Sequence, residues 1–220
     1  MKNKLLKVTI ILSILLLTVI PLSVHAETNG TCGDNLTWTL DDNGTLTISG
    51  TGDMWNYTYD SRPFWIENVK NAIIQDGVKS IGSYAFGFCE NLESVSIPDR
   101  VTTIRGDAFR CVRGLEDIVI PDSVKTINGT AFRACYDLKS ITIGMGLTYV
   151  GCEAFYNCDD LESVHIRDLE AWCKIKFDPF YGNPLQEAHK LYLNGELVEK
   201  AIIPDTITEI QKPHFRDVQV

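Results

Sequence analysis

One phrase of 23 residues, written four times without a gap, constrains this chain more than any other feature. Residues 78–100 read VKSIGSYAFGFCENLESVSIPDR, and 101–123, 124–146 and 147–169 repeat its apolar positions. A fixed period of this length implies a solenoid or array. Val78, Val101, Val124 and Leu147 open the units, and Ile81, Ile104, Ile127 and Val150 follow three residues later. An Ala-Phe pair comes next: Ala85-Phe86, Ala108-Phe109, Ala131-Phe132 and Ala154-Phe155. Leu92, Leu115, Leu138 and Leu161 then lead into apolar residues two apart: Val95/Ile97, Ile118/Ile120, Ile141/Ile143 and Val164/Ile166. That spacing sets both side chains on one face of a strand, predicting parallel strands at 93–97, 116–120, 139–143 and 162–166. No unit can bury its apolar set alone, but stacked units share one core.

The L-x-x-V-x-I phrase and the 23-residue period fit a leucine-rich repeat. The expected fold is an α/β, β-rich solenoid: a right-handed leucine-rich-repeat superhelix of 23-residue units with an N-terminal β-hairpin cap. Residues 1–26 read as a secretory signal, with Lys2, Lys4 and Lys7 before an apolar run from Val8 to Ile20 and a small-residue cleavage site at Val24-His25-Ala26. Its loss takes three Lys from a net charge of -9 and leaves -12. Such an acidic chain is a poor binder of phosphate backbones, so no nucleic-acid partner is expected. No later stretch is apolar enough for a stable membrane span after signal cleavage.

Residues 27–68 read as the N-terminal β cap. Trp38/Leu40 and Leu46/Ile48 alternate with polar residues around the turn Asp41-Asp42-Asn43-Gly44. The acidic run lacks the later ligands of a calcium loop and reads as a turn. Met54–Trp65 is dense in aromatic residues; it either covers the open end of the solenoid or, with Trp55, Tyr57, Tyr59 and Trp65 exposed and coplanar, offers a sugar platform. The solenoid is expected over 69–220, with a partial repeat from Val69, regular repeats at 78–169 and an irregular interruption at 167–197. Within that interruption Asp168 can N-cap a short helix, and Asn194-Gly195 signals a hairpin. A returning repeat covers 198–216, where Pro213-His214 replace the usual pair before the aromatic position.

These units resemble the BspA-like leucine-rich repeats of bacterial and protist surface proteins. The resemblance rests on AFGFCENLESVSIP and AFRACYDLKSITI, on the leading TCGDNLTWTLDDNGTLTISGTGDMW, and on DLEAWCKIKF…NPLQEAHKLYLNGELVEKAIIPD. It implies a secreted or cell-surface protein that binds proteins, host extracellular proteins among them, and it carries no catalytic residues to transfer.

The residues themselves offer little chemistry. Cys89, Cys135 and Cys158 share one repeat column with Val112, a pattern of buried packing thiols rather than disulfides. No zinc spacing, H-E-x-x-H, G-x-S-x-G or phosphate loop occurs, and no cofactor is expected. Cys173 and His189 could pair as nucleophile and base only if folding brought them together. Asn35, Asn43, Asn56 and Asn128 are glycosylation sequons, which act only in a glycosylating host.

Function is therefore expected on the outward side of the strands. Alternation places Ser94, Ser96, Asp117, Val119, Ser140, Thr142, Ser163 and His165 there as candidate ligand-facing residues. The expectation is protein binding or adhesion without catalysis; the alternative is a carbohydrate-binding or glycan-processing protein using 54–65. End-to-end self-association through the C-terminal end is a further expected partner mode.

Overall fold

In the computed structural model, which describes residues 28–210 together with Phe215 and Val218, the chain winds into a β-solenoid of about six turns. The expected signal (1–26) and Pro213-His214 lie outside the described residues. The N-terminal end opens with β1 (Asn29–Gly33), β2 (Leu36–Leu40), β3 (Thr45–Gly50) and β4 (Gly52–Asp53). β5 (Asn71–Ile74) and β6 (Val78–Ile81) lead into the regular units. These contribute β7 (Ser94–Ser96), β8 (Thr103–Ile104), β9 (Asp117–Ile120), β10 (Thr126–Ile127), β11 (Ser140–Ile143), β12 (Tyr149–Val150) and β13 (Ser163–Ile166). After them come α1 (Leu169–Lys174), β14 (Lys176–Phe177), α2 (Leu185–Ala188), β15 (Leu191–Leu193) and β16 (Glu196–Leu197).

The short strands β4, β6, β8, β10, β12 and β14 form one continuous parallel sheet along one flank. The longer strands form two sheets along the other flank, one running β1-β2-β3-β5-β7 and one β9-β11-β13-β15-β16. β11 aligns parallel with β13 so that Ile141 faces Val164 and Ile143 faces Ile166. The inward columns fill the space between the flanks. Phe86, Phe109, Phe132 and Phe155 stack with centroids 5.2, 5.1 and 5.4 Å apart and planes within 3°. All four rings are fully buried. Cys135 and Cys158 donate their thiols to the carbonyls of Phe109 and Phe132 in the preceding rungs, at 3.0 and 3.1 Å. All seven cysteines are free thiols, and burial pushes those of Cys89 and Cys135 well up.

The hairpin forms where its turn chemistry puts it. Leu40 faces Leu46, and the Asp41 carboxylate accepts from the amides of Asn43 and Thr45. Asp168 caps α1 through the Ala171 amide, 2.7 Å away. Asn194 and Gly195 take the positive φ values of a two-residue hairpin turn between β15 and β16.

Three features differ from the sequence reading. First, the strand flank is split: no ladder joins β7 to β9, and Val95 and Ile97 are only half-buried where the equivalent Ile118 and Ile120 are buried. Elsewhere side chains tie adjacent rungs together. Asn91 donates to the Glu67 carbonyl, Asp137 accepts the Gly114 amide, and the two thiols reach back to Phe carbonyls. The second unit has Val112 and Gly114 at these columns; neither side chain can reach back to the first unit, and there the sheet parts. Second, residues 167–197 do not interrupt the stacking. Val164 pairs with Leu191 and Val150 with Phe177, so this turn is a rung 27 residues long, with α1 taking up the extra chain. Third, each unit holds two residues in the left-handed region: Tyr84/Phe88, Asp107/Cys111, Thr130/Ala134 and Glu153/Asn157. Side chains other than Gly, Asn and Asp are strained there by about 1–2 kcal/mol. The conformation turns the amides of Phe88, Cys111 and Ala134 toward the carbonyls of Arg110, Arg133 and Tyr156 in the next rung.

Candidate functional site: the outward strand row

The outward positions of the strand flank form two parallel columns of short side chains. Ser94, Ser96, Asp117 and Val119 are exposed, and Ser140, Thr142, Ser163 and His165 are half-buried by their neighbours. Hydrogen bonds run along the first column. The Ser94 hydroxyl donates to Asn71 at 2.7 Å and the Ser140 hydroxyl to Asp117 at 2.6 Å. In the second column Val119 is 60% exposed, and His165 lies on Tyr192 with centroids 4.8 Å apart and planes within 12°. The His165 Nε2 sits 3.1 Å from the Ser163 hydroxyl. The arrangement holds its polar groups in mutual hydrogen bonds.

The row is wider than the expected eight residues. Asn71 and Ile73 continue it through β5, beside Ser94 and Ser96, and Tyr192 continues it through β15, beside His165. The partial repeat at 69–74 contained the signal for the first two. Tyr192 lies four residues off the 23-residue period, so the period could not find it.

The aromatic segment divides between inside and outside. Trp65 is fully buried, donates its indole N–H to the Ala85 carbonyl at 2.9 Å and meets Trp38 edge-on at 5.3 Å. Tyr57 is half-buried, perpendicular to Trp65 at 86°. Trp55 and Tyr59 are exposed. A coplanar platform of Trp55, Tyr57, Tyr59 and Trp65 therefore does not exist; Trp65 is part of the cover instead. Cys173 is buried, and its thiol is pushed up by burial first and by Asp168 and Glu170 after it. That is the opposite of the lowered value a nucleophilic thiol needs. Among the described residues no group of three His, Cys, Asp or Glu side chains is placed to hold a metal ion, and no helix is long and apolar enough to cross a membrane.

The model of the BspA type leucine rich repeat region matches residues 60–186 in six copies. No curated protein is significantly similar to the chain. Among solved structures, a leucine-rich repeat protein of Eubacterium ventriosum superposes with a TM-score of 0.53 at 19% identity, over 88% of this chain and 60% of that one. The T. pallidum leucine rich repeat protein gives 0.49 at 22% identity, over 61% and 70%. The pneumococcal vaccine antigen PcpA gives 0.49 at 18% identity, over 73% and 45%. This chain thus spans less than two thirds of the E. ventriosum protein and less than half of the pneumococcal antigen.

Proposed function

Because this chain belongs to the BspA-type leucine-rich repeat family, we propose that it is a secreted or cell-surface protein that binds protein partners, without catalysis, through its outward strand row. The observation that carries the reading is the row itself: on both sides of the β7–β9 seam it holds short polar side chains in mutual hydrogen bonds, with Ile73 and Val119 exposed among them. Parallel rungs fix these side chains in place, so little ordering entropy is lost when a partner lands. The signal-like residues 1–26 support export, and the domain division into a cap (27–68) and a solenoid (69–220) belongs to the same proposal. End-to-end pairing of copies is its second partner mode. Ile202 is 83% exposed near the C-terminal end, and sedimentation at rising concentration tests it.

The test uses residues 27–220 against purified extracellular-matrix proteins and, separately, purified glycans, each immobilised alone. Saturable binding to at least one protein is expected, weakened at least tenfold by Val119→Arg with Ser96→Arg at unchanged melting temperature. Binding that ignores both substitutions, or that occurs to glycans alone, overturns the reading.

A further inference from the structure

The left-handed turns stack into a ridge along one edge of the solenoid, because the amides they turn bond to the next rung. The first unit places two aromatic residues in that backbone region, Tyr84 at φ 55° and Phe88 at φ 66°. Bulky residues held there are outliers that point toward function. Phe88 has a visible task. The Arg62 guanidinium lies 4.9 Å from its centroid and 4.5 Å from that of Tyr59. The two rings themselves meet edge-on at 5.2 Å. Arg62 is thereby fixed as a planar donor whose N–H edge stays free.

Arg62 lines an open hollow of about 480 Å³ together with Tyr59, Asp60, Phe64 and Glu67. The wall is firmly built. Tyr59–Ser61 is a single helical turn. The Thr58 amide donates to the Ser61 hydroxyl at 3.0 Å, and the two hydroxyls lie 2.9 Å apart. Phe64 is 76% exposed, yet Pro63 and Trp65 on either side of it are buried. A large apolar ring is thus held outward by anchored neighbours. Asp60 and Glu67 bring acceptors to the hollow and Arg62 brings donors. None of the three belongs to an ion pair among the described residues. The hollow therefore offers hydrogen bonds of both kinds beside one free aromatic ring, with charges of both signs.

We propose that this hollow binds an uncharged sugar unit of a glycan, with Phe64 as its platform. One side of a pyranose ring is lined with C–H groups, and these meet the negative face of a phenyl ring. Its neighbouring hydroxyls both donate and accept. They donate to the carboxylates of Asp60 and Glu67, and their oxygens accept from Arg62. An anionic ligand would meet two carboxylates, and a cationic one would meet the guanidinium. A purely apolar segment would strip water from all three polar groups without replacing it. Few polar groups beside an aromatic wall is the usual make-up of a small-molecule site. The site is separate from the strand row, so either reading can fail without the other.

Amide NMR of residues 27–220 tests this, with lactose, maltose, cellobiose and diacetylchitobiose titrated separately. A hyaluronan tetrasaccharide, a Glu-Glu-Leu peptide and a Lys-Lys-Leu peptide serve as charged probes. At least one neutral disaccharide is expected to shift the signals of 59–67 saturably, with a Kd on the order of 1 mM. Phe64→Ala should weaken that binding at least tenfold. Phe64→Leu should do the same, because leucine keeps apolar bulk without a ring face, whereas Phe64→Trp should bind at least as well as the native protein. The melting temperature should stay level in all three, since the side chain is exposed. Asp60→Asn with Glu67→Gln should cut affinity several-fold, and Val119→Arg should leave it unchanged. The proposal is overturned if no neutral disaccharide shifts 59–67, if Phe64→Leu binds like the native protein, or if a charged probe binds as tightly as the best sugar. Loss of binding with Val119→Arg would overturn it too, and so would a dimer that Phe64→Ala abolishes, since a second copy would then fill the hollow.

Discussion

The two ends of the solenoid solve the same problem with different materials. Among the described residues, each ends on an apolar rung that a strand neighbours on one side. At the N-terminal end three hydrogen-bonded strands cover that rung, and Trp38 and Trp65 carry the aromatic stack onward to Phe86. Leu36, Trp38, Leu46, Ile48 and Trp65 are buried in that junction. At the C-terminal end Trp172 and Phe177 fill the last described rung in the same way, 5.1 Å apart. Beyond them, residues 201–210 have no strand pairing, and 206–209 lie beside Cys173–Lys176. Ala201 is buried, but Ile203, Ile207 and Ile210 are half-buried and Ile202 is exposed. Ladders make a cover that is cooperative with the core; apolar contacts alone make one that opens by itself.

The largest expected effect sets the scale. Phe132→Ala, in the middle of the stacked column, should cost about 3–5 kcal/mol by denaturant unfolding. Trp65→Ala should cost as much, because it empties a buried site and orphans the Ala85 carbonyl. Ile207→Ala should cost under about 1 kcal/mol, as expected for a side chain with one flank in solvent. A loss of that small size for Trp65→Ala would show that the N-terminal strands are a detachable lid, and the contrast between the ends would collapse.

Hydrogen exchange reads the same contrast without substitution. Amides of residues 201–210 should exchange far faster than those of 116–143, whose ladders continue on both sides. Amides of 36–40 and 46–50 should resemble the second group. Equal protection of 201–210 in a dilute monomer would mean that this end is as firmly closed as the other.

Much of this was legible because side-chain period reports which way a residue faces. The strand columns, the hairpin turn at 41–44, the Asp168 cap and the candidate row all follow from spacing. What spacing does not carry is φ, or a bond between rungs. The left-handed pairs at 84/88 and 107/111 show no common residue type, so nothing in the columns marks them, and the ridge they build was invisible. The 27-residue rung was hidden because α1 absorbs four residues while the inward columns resume at Leu191. The seam between β7 and β9 follows from absences at Val112 and Gly114, which matter only once Asn91 and Cys135 are seen reaching across rungs. Gly114→Asn should supply one missing tie. A Cβ there meets the Leu92 and Glu90 carbonyl oxygens at ordinary contact, 3.4 and 3.8 Å, and Asn tolerates the left-handed backbone. A gain of about 0.5–1 kcal/mol is expected by thermal unfolding. No gain, with β9 amides still exchanging quickly, would refute this account of the seam.

The smallest effect concerns acid. The contacts that bring the C-terminal segment onto the solenoid include exposed carboxylates, whereas the N-terminal junction is closed by indole and phenyl rings. Asp122 accepts from the Met145 amide and from Arg167, which lies just before α1. The Met145 amide first, and Arg167 after it, hold the Asp122 carboxyl below its usual range. Lys174 first, and then Thr206 of the C-terminal segment, do the same for Glu170. A carboxyl whose folded value is depressed favours the fold above its unfolded value, near pH 4, and that contribution fades as pH falls through the folded value. Both groups are exposed, so solvent screening keeps the effect small and salt weakens it further. Below about pH 4 the C-terminal segment should therefore loosen while the N-terminal junction holds. Amide NMR signals of 201–210 should move between pH 7 and pH 3 while those of 37–40 and 46–49 stay in place, and Glu170→Gln should reproduce part of that movement at pH 7. If both ends shift with one midpoint, acid acts on the whole solenoid, and the two ends are not closed by different chemistry.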